Sequence, residues 1–269
     1  MVTDTATPVV YENVAEYMGH ETKTTELLKN EIPGCTVFNH TIMKGDSIPV
    51  LPDSGGYHIL TLVTGTAAFI MDGATYQFSI RTTFIPGVEQ DLTIKAETDA
   101  QILEVFWKLL DVDLEEIRKT PNVFPKFQIY RDCLQYTDSA KTEKTINRLI
   151  IEPHNIPRFA MGSVESFGPD LVKQHPHPMI DQFFYSFPEN DMDCLINDDR
   201  INMKGNILLH IPLGSNHGVD VRDGQRMHYC WIDFWSKDMP DMAEKLKVGH
   251  VKTGKMRDFT KEGYKKDFE

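Results

Sequence analysis

The chain has 269 residues, 41% of them hydrophobic, and a formal net charge of -12. It is long enough for one large domain or two ordinary ones, and its charge has the wrong sign to track a phosphate backbone. The cysteines Cys35, Cys133, Cys194 and Cys230 form no CxxC pair, no charged-then-apolar leader opens the chain, and no apolar run approaches the roughly 18 residues of a membrane span. A cytoplasmic protein that binds neither nucleic acid nor membrane is predicted.

A short helix is expected near Asn13 to Tyr17. Short segments rich in Val, Ile, Phe, Tyr and Thr follow, broken by Gly, Asp, Asn and Pro at the spacing of an all-β barrel or sandwich. One passage runs from Ile70-Met71-Asp72-Gly73 through Tyr76 to Phe84-Ile85-Pro86-Gly87 and closes on Phe106-Trp107. A helix is predicted over Asp113 to Lys119, with acids in its first turn. The polar stretch Thr120 to Glu143, carrying Pro121 and Pro125, reads as a connector.

A second passage then repeats the first. Leu195-Ile196-Asn197-Asp198 leads to His210-Ile211-Pro212-Leu213-Gly214, and the copy closes on Phe234-Trp235. The Ile-Pro steps lie 212 - 86 = 126 residues apart and the Phe-Trp steps 234 - 106 = 128 apart. Offsets this similar predict an internal duplication, with an N-terminal barrel over 1–140 and a C-terminal one over 141–269. A last helix is expected near Pro240 to Lys247, followed by a charged tail.

Chemistry concentrates in the second copy. His175-Pro176-His177 places two imidazoles on one face of an extended chain, and neutral imidazole is the commonest nitrogen ligand for divalent transition metals. A Pro212-Leu213-Gly214 turn then reverses the chain and delivers His217. The order of these elements resembles the paired motifs of the cupin superfamily, G-x5-HxH-x3,4-E-x6-G and G-x5-PxG-xx-H-x3-N. Gly168 and Gly205 each stand one residue further from their motif than in that pattern, and Val221 occupies the place of the final Asn.

The resemblance implies two jelly-roll barrels with a few short helices, and one divalent ion (Zn, Mn, Fe or Ni) on His175, His177 and His217. Where the family has its Glu, this chain offers Asp181 and Gln182. The five-residue spacing before the aromatic strand favours Gln182 as the fourth, neutral ligand, with Asp181 a supporting group or general base. By local offset the three ligand positions fall in the first copy at Pro52, Ser54 and Gln90, so that barrel is expected to lack the site, with His58 a lone packed histidine.

The stretch His175 to Phe187 is also similar to that of the bicupin 5-keto-4-deoxyuronate isomerases. This implies a metal-dependent isomerase that acts on a sugar or sugar acid through an enediol, with proton transfer or substrate contact from Asp181, Tyr185, Lys173 or His228. An Fe(II) dioxygenase and a non-catalytic sugar-binding cupin are the alternatives. Edge strands and the charged tail favour a homo-oligomer, a dimer or larger.

Overall fold

A computed structural model describes residues 9–17, 19–119, 123–177, 179–235 and 250–252. The expected helix at Pro240 to Lys247 lies outside them. The described residues divide into two compact units, one within 14–135, the other formed by 9–13 with those of 136–252. No helix among the described residues is long and apolar enough to cross a membrane.

The strands in chain order begin with β1 (Tyr11–Asn13), β2 (Lys23–Leu27), β3 (Cys35–Ile42), β4 (Ser47–Val50) and β5 (Gly56–Thr64). They continue with β6 (Ala67–Met71), β7 (Ala74–Phe78), β8 (Thr82–Ile85), β9 (Leu92–Ala96) and β10 (Ala100–Lys108). A 3-10 turn at Val14–Tyr17 and the helix α1 (Asp111–Lys119) stand where the sequence placed helices. The supposed connector after α1 instead holds β11 (Lys126–Ile129) and β12 (Leu134–Asp138). Its prolines misled the reading: β11 is an edge strand, where a missing N–H costs little.

The second run comprises β13 (Ile146–Ile156), β14 (Phe159–Phe167), β15 (Asp170–Pro176), β16 (Ile180–Ser186) and β17 (Asp191–Ile196). It ends with β18 (Asp199–Lys204), β19 (Ile207–Ile211), β20 (Asn216–Val221), β21 (Arg226–Trp235) and the short β22 (His250–Lys252).

Each unit pairs a large sheet with a four-stranded one. The first has β11-β8-β5-β10-β3-β2 over β4-β9-β6-β7, the second β1-β19-β16-β21-β14-β13-β12-β22 over β15-β20-β17-β18. The run β8-β5-β10-β3 has the same order as β19-β16-β21-β14, and both small sheets follow one order, so the duplication is one of topology. All reported pairings are antiparallel, and tight turns make them possible. Asp72 and Gly73 take left-handed conformations (φ 51° and 78°) between β6 and β7, and Asn197 (φ 51°) does so between β17 and β18.

Apolar side chains fill each barrel. In the first they include Ile42, Leu60, Leu62, Phe69, Phe84 and Ile102, in the second Val164, Phe184, Met192, Leu209, Val219 and Tyr229. The interior face therefore carries the even positions of β10 and the odd ones of β21. The Phe-Trp steps are therefore not equivalent. Phe106 stands on the same interior face as Ile102, whereas Phe234 packs with Phe159 and Phe183 on the outer face of its sheet.

Candidate metal centre

The site begins with a slip in the ladder between β15 and β20. Asp170 to Val172 pair with Val221 to Val219, after which one extra residue on β15 shifts the register so that His175 meets His217. Gly218 permits this bulge, because a Cβ there would lie 2.6 Å from the Val172 carbonyl oxygen and 2.9 Å from the Gln174 nitrogen. His177 follows directly after β15. The Pro212 turn closes against it, with the Gly214 N–H donating to the His177 carbonyl at 3.2 Å and Gly214 itself at φ 76°.

The ligand nitrogens of His175, His177 and His217 all lie within 4.8 Å of one another. Two of the three rings are held in the same way. His175 Nδ1 lies 2.6 Å from the Lys173 carbonyl and His217 Nδ1 3.1 Å from the Ser215 carbonyl. A carbonyl only accepts, so each Nδ1 carries the proton and each Nε2 presents its lone pair. Burial pushes the His217 pKa down to about 3, assisted by His177, His175 and Lys141 and opposed by the Ser215 bond. Neutral imidazole is the form a metal requires.

Gln182 is the residue expected as the fourth donor. It lies on the face of β16 that carries Phe184, whose ring is 5.6 Å from that of His217. Its Nε2 donates to Asp233 Oδ1 at 2.7 Å. The amide is thereby oriented, and Gln182 Oε1 is left buried without a hydrogen-bond partner. Three clustered imidazoles, two of them with the tautomer fixed by a carbonyl, and one orphaned carbonyl oxygen fit a divalent ion.

The other expected groups do not join the triad. Asp181 and Tyr185 project from the opposite face of β16, Asp181 toward His210 Nε2 at 3.4 Å and Tyr185 Oη donating to Asn206 Oδ1 at 2.9 Å. His228 is fully buried on the outer face of β21, beside Glu189 and 4.0 Å from Glu165. Glu165 also pairs with Arg148 and Arg226; burial raises its pKa, but the cations outweigh that and bring it to about 2. Lys173 is exposed and contributes its carbonyl rather than its amine. Alternation of side chains across a strand accounts for Asp181, Tyr185 and His228.

A group that sequence reasoning missed takes their place. The Lys141 side chain is only 7% exposed, and its Nζ lies 3.1 Å from Asp138 Oδ2 and 5.8 Å from the centre of the Tyr136 ring. Burial lowers the Lys141 pKa, while Asp138 and Asp233 pull it back up. Burial likewise raises the Tyr136 pKa, against a hydrogen bond from Trp231. A bridge between Lys141 and Val172 ties this segment to the strand that carries His175. The only sequence signal was a lysine in a polar stretch, which ordinarily means a solvated one.

No protein-family model matches the chain, and no curated protein matches it in sequence. Solved structures do. A glyoxylate-induced protein from Pseudomonas aeruginosa matches with a TM-score of 0.70 at 10% identity, over 87% of this chain and 91% of that one. A cupin 2 conserved barrel domain protein from Leptotrichia buccalis matches with a TM-score of 0.58 at 10% identity, over 86% and 99%. The Lactobacillus farciminis oxalate decarboxylase in its formate complex matches at 0.64 and 11% identity, over 86% and 87%.

The fold is a double cupin barrel. At these identities the likeness is one of fold, and chemistry has to be argued from the site.

Proposed function

We propose that the C-terminal barrel is the active site of a metal-dependent isomerase acting on a sugar or sugar acid. The observation that carries this reading is the buried Lys141 amine, held 3.1 Å from Asp138 on a segment bridged to the strand that carries His175. His175, His177, His217 and Gln182 would hold the ion. A divalent ion there supplies Lewis acidity toward adjacent carbonyl and hydroxyl oxygens.

The protein side chains supply the rest. A lysine whose pKa burial lowers can take a proton from one carbon and return it to the next, and Asp138 fixes the position of Nζ. The Tyr136 ring packs beside the amine, and the burial of that amine strengthens the charge interactions it makes. An aldose-ketose interconversion moves one proton from carbon to the neighbouring carbon and one from the hydroxyl to the neighbouring carbonyl oxygen, with no second substrate and no redox partner; Lys141 would carry the first, and the second would pass between the two adjacent oxygens. Gln182 adds no negative charge to the donor set, which favours this electrophilic, non-redox reading.

The test is an assay of aldoses, ketoses and uronates with Mn, Zn, Fe(II) or Ni added, comparing the wild type with Lys141→Met. Interconversion of at least one pair, reduced about 100-fold or more in kcat by Lys141→Met with metal content unchanged, is the expected result. Oxygen uptake on a diketone, with no interconversion, would replace this reading with a dioxygenase.

A further inference from the structure

The N-terminal barrel carries an unassigned cluster of its own. Glu104 Oε2 lies 2.6 Å from His40 Nε2, and Glu104 Oε1 lies 2.6 Å from His58 Nδ1. His40 Nδ1 is in turn 2.8 Å from Thr24 Oγ1. Burial raises the Glu104 pKa, but the two imidazole bonds outweigh it and bring it to about 2, so the group is a carboxylate. A carboxylate only accepts, so His58 carries its proton on Nδ1. In the neutral imidazole Nε2 is then the acceptor, and it is buried with no hydrogen-bond partner.

The position matters as much as the chemistry. His58 is the third residue of β5, and that strand starts with Gly56 opposite Lys108, the last residue of β10. Gln182 is the third residue of β16, which starts with Ile180 opposite Trp235, the last residue of β21. The two barrels thus place a buried, unpartnered acceptor at the same point on the interior face, Gln182 Oε1 in one and His58 Nε2 in the other. Around His58 the donors are arranged differently. His40 and His58 flank Glu104, and among the described residues convergent ligand atoms occur only at His175, His177 and His217.

We propose that the N-terminal barrel is a second small-molecule site, in which His58 Nε2, oriented by Glu104 and His40, accepts a hydrogen bond from a hydroxyl of a neutral polyol or sugar. The Glu104 charge repels an anion, and the apolar core beneath, with Leu60, Leu62 and Ile102, penalises a full cation. A neutral O–H donor meets both conditions. Phe106 provides the stacking surface: its ring centroid lies 4.9 Å from that of His58. Phe106 and its cross-strand partner Thr36 also line a cavity of about 350 Å³, together with Asn30, Ile32 and Lys108, and His58 stands behind Phe106 rather than in that lining. That volume is at the lower end of small-molecule sites and suits a monosaccharide.

The test uses the full chain, isotopically labelled, with myo-inositol and D-glucose as probes and Zn(II) alone as a control. Either probe should produce a saturable shift of the His58 Nε2 resonance and of the Phe106 and Thr36 amides. His175→Ala should leave that response intact. His58→Gln, which installs the amide of the equivalent position, should weaken it at least tenfold. Glu104→Gln, should His58→Gln not fold, should change the His58 tautomer ratio and weaken the response too. Absence of a saturable shift with both probes, a response that survives His58→Gln, or a His58 resonance moved by Zn(II) alone would overturn the proposal.

Discussion

Asp233 holds Gln182 by its amide nitrogen at 2.7 Å, and this one contact decides that the carbonyl oxygen, not the nitrogen, is the free end of the side chain. Installing the Glu found in the cupin pattern would set two carboxylates at hydrogen-bond distance. Gln182→Glu should therefore destabilise the metal-free protein by roughly 1–3 kcal/mol. Adding Asp233→Asn should restore stability and bind a divalent ion about tenfold more tightly than the wild type does. Thermal unfolding and chelator competition measure both.

The histidine triad predicts ligand-linked stability. With Zn(II) at about 100 times its Kd, the wild type should gain about 2.7 kcal/mol, seen as a rise in Tm. His175→Ala and His217→Ala should show little of that rise and should copurify with less metal by elemental analysis. A wild type with no more metal than His175→Ala would remove the metal centre altogether.

Gly218→Ala probes the bulge. A methyl group there meets the Val172 carbonyl at 2.6 Å and the Gln174 nitrogen at 2.9 Å, both backbone atoms. The ladder must open, at a cost of about 1–3 kcal/mol. Because the slip is what sets His175 opposite His217, metal affinity should fall at denaturant concentrations where the fold is still intact.

Glu104 predicts a pH dependence with a definite sign. Its pKa is about 2 in the folded chain against 4.5 for an ordinary glutamate, so the folded state binds fewer protons between those values. The stabilisation is complete above pH 4.5 and is lost as pH falls toward 2, on the order of 3 kcal/mol at 1.36 kcal/mol per pKa unit. Glu104→Gln should flatten that part of the stability curve, as read by urea unfolding across the acid range.

Much of the site was legible because its parts are close in sequence. His175 and His177 share one strand end and His217 follows one turn, so the HxH and Pro-x-Gly-x-x-His spacings encode geometry that local backbone alone produces. The resemblance of the spacing before the aromatic strand to that of bicupins favoured Gln182 over Asp181, and the structure puts Gln182 on the face of β16 that carries Phe184. Asp181, Tyr185 and His228 were placed wrongly because the phase of a strand decides which neighbour faces inward, and the prolines at 176 and 178 hide where β16 begins. The Phe-Trp repeat failed for the same reason: one residue of phase moved Phe234 to the outer face.

By itself, then, the sequence determined an acidic all-β chain with a duplicated pattern and three histidines at convergent spacing, since each depends on composition or short-range spacing. The tertiary structure alone decided that Lys141 is buried beside Asp138 rather than solvated, that Asp233 leaves the Gln182 carbonyl free, and that His40 and His58 both bind Glu104. The last two relationships join residues far apart in the chain, His58 to Glu104 across 46 residues, Gln182 to Asp233 across 51 and His40 to Glu104 across 64, and only barrel closure brings such groups together.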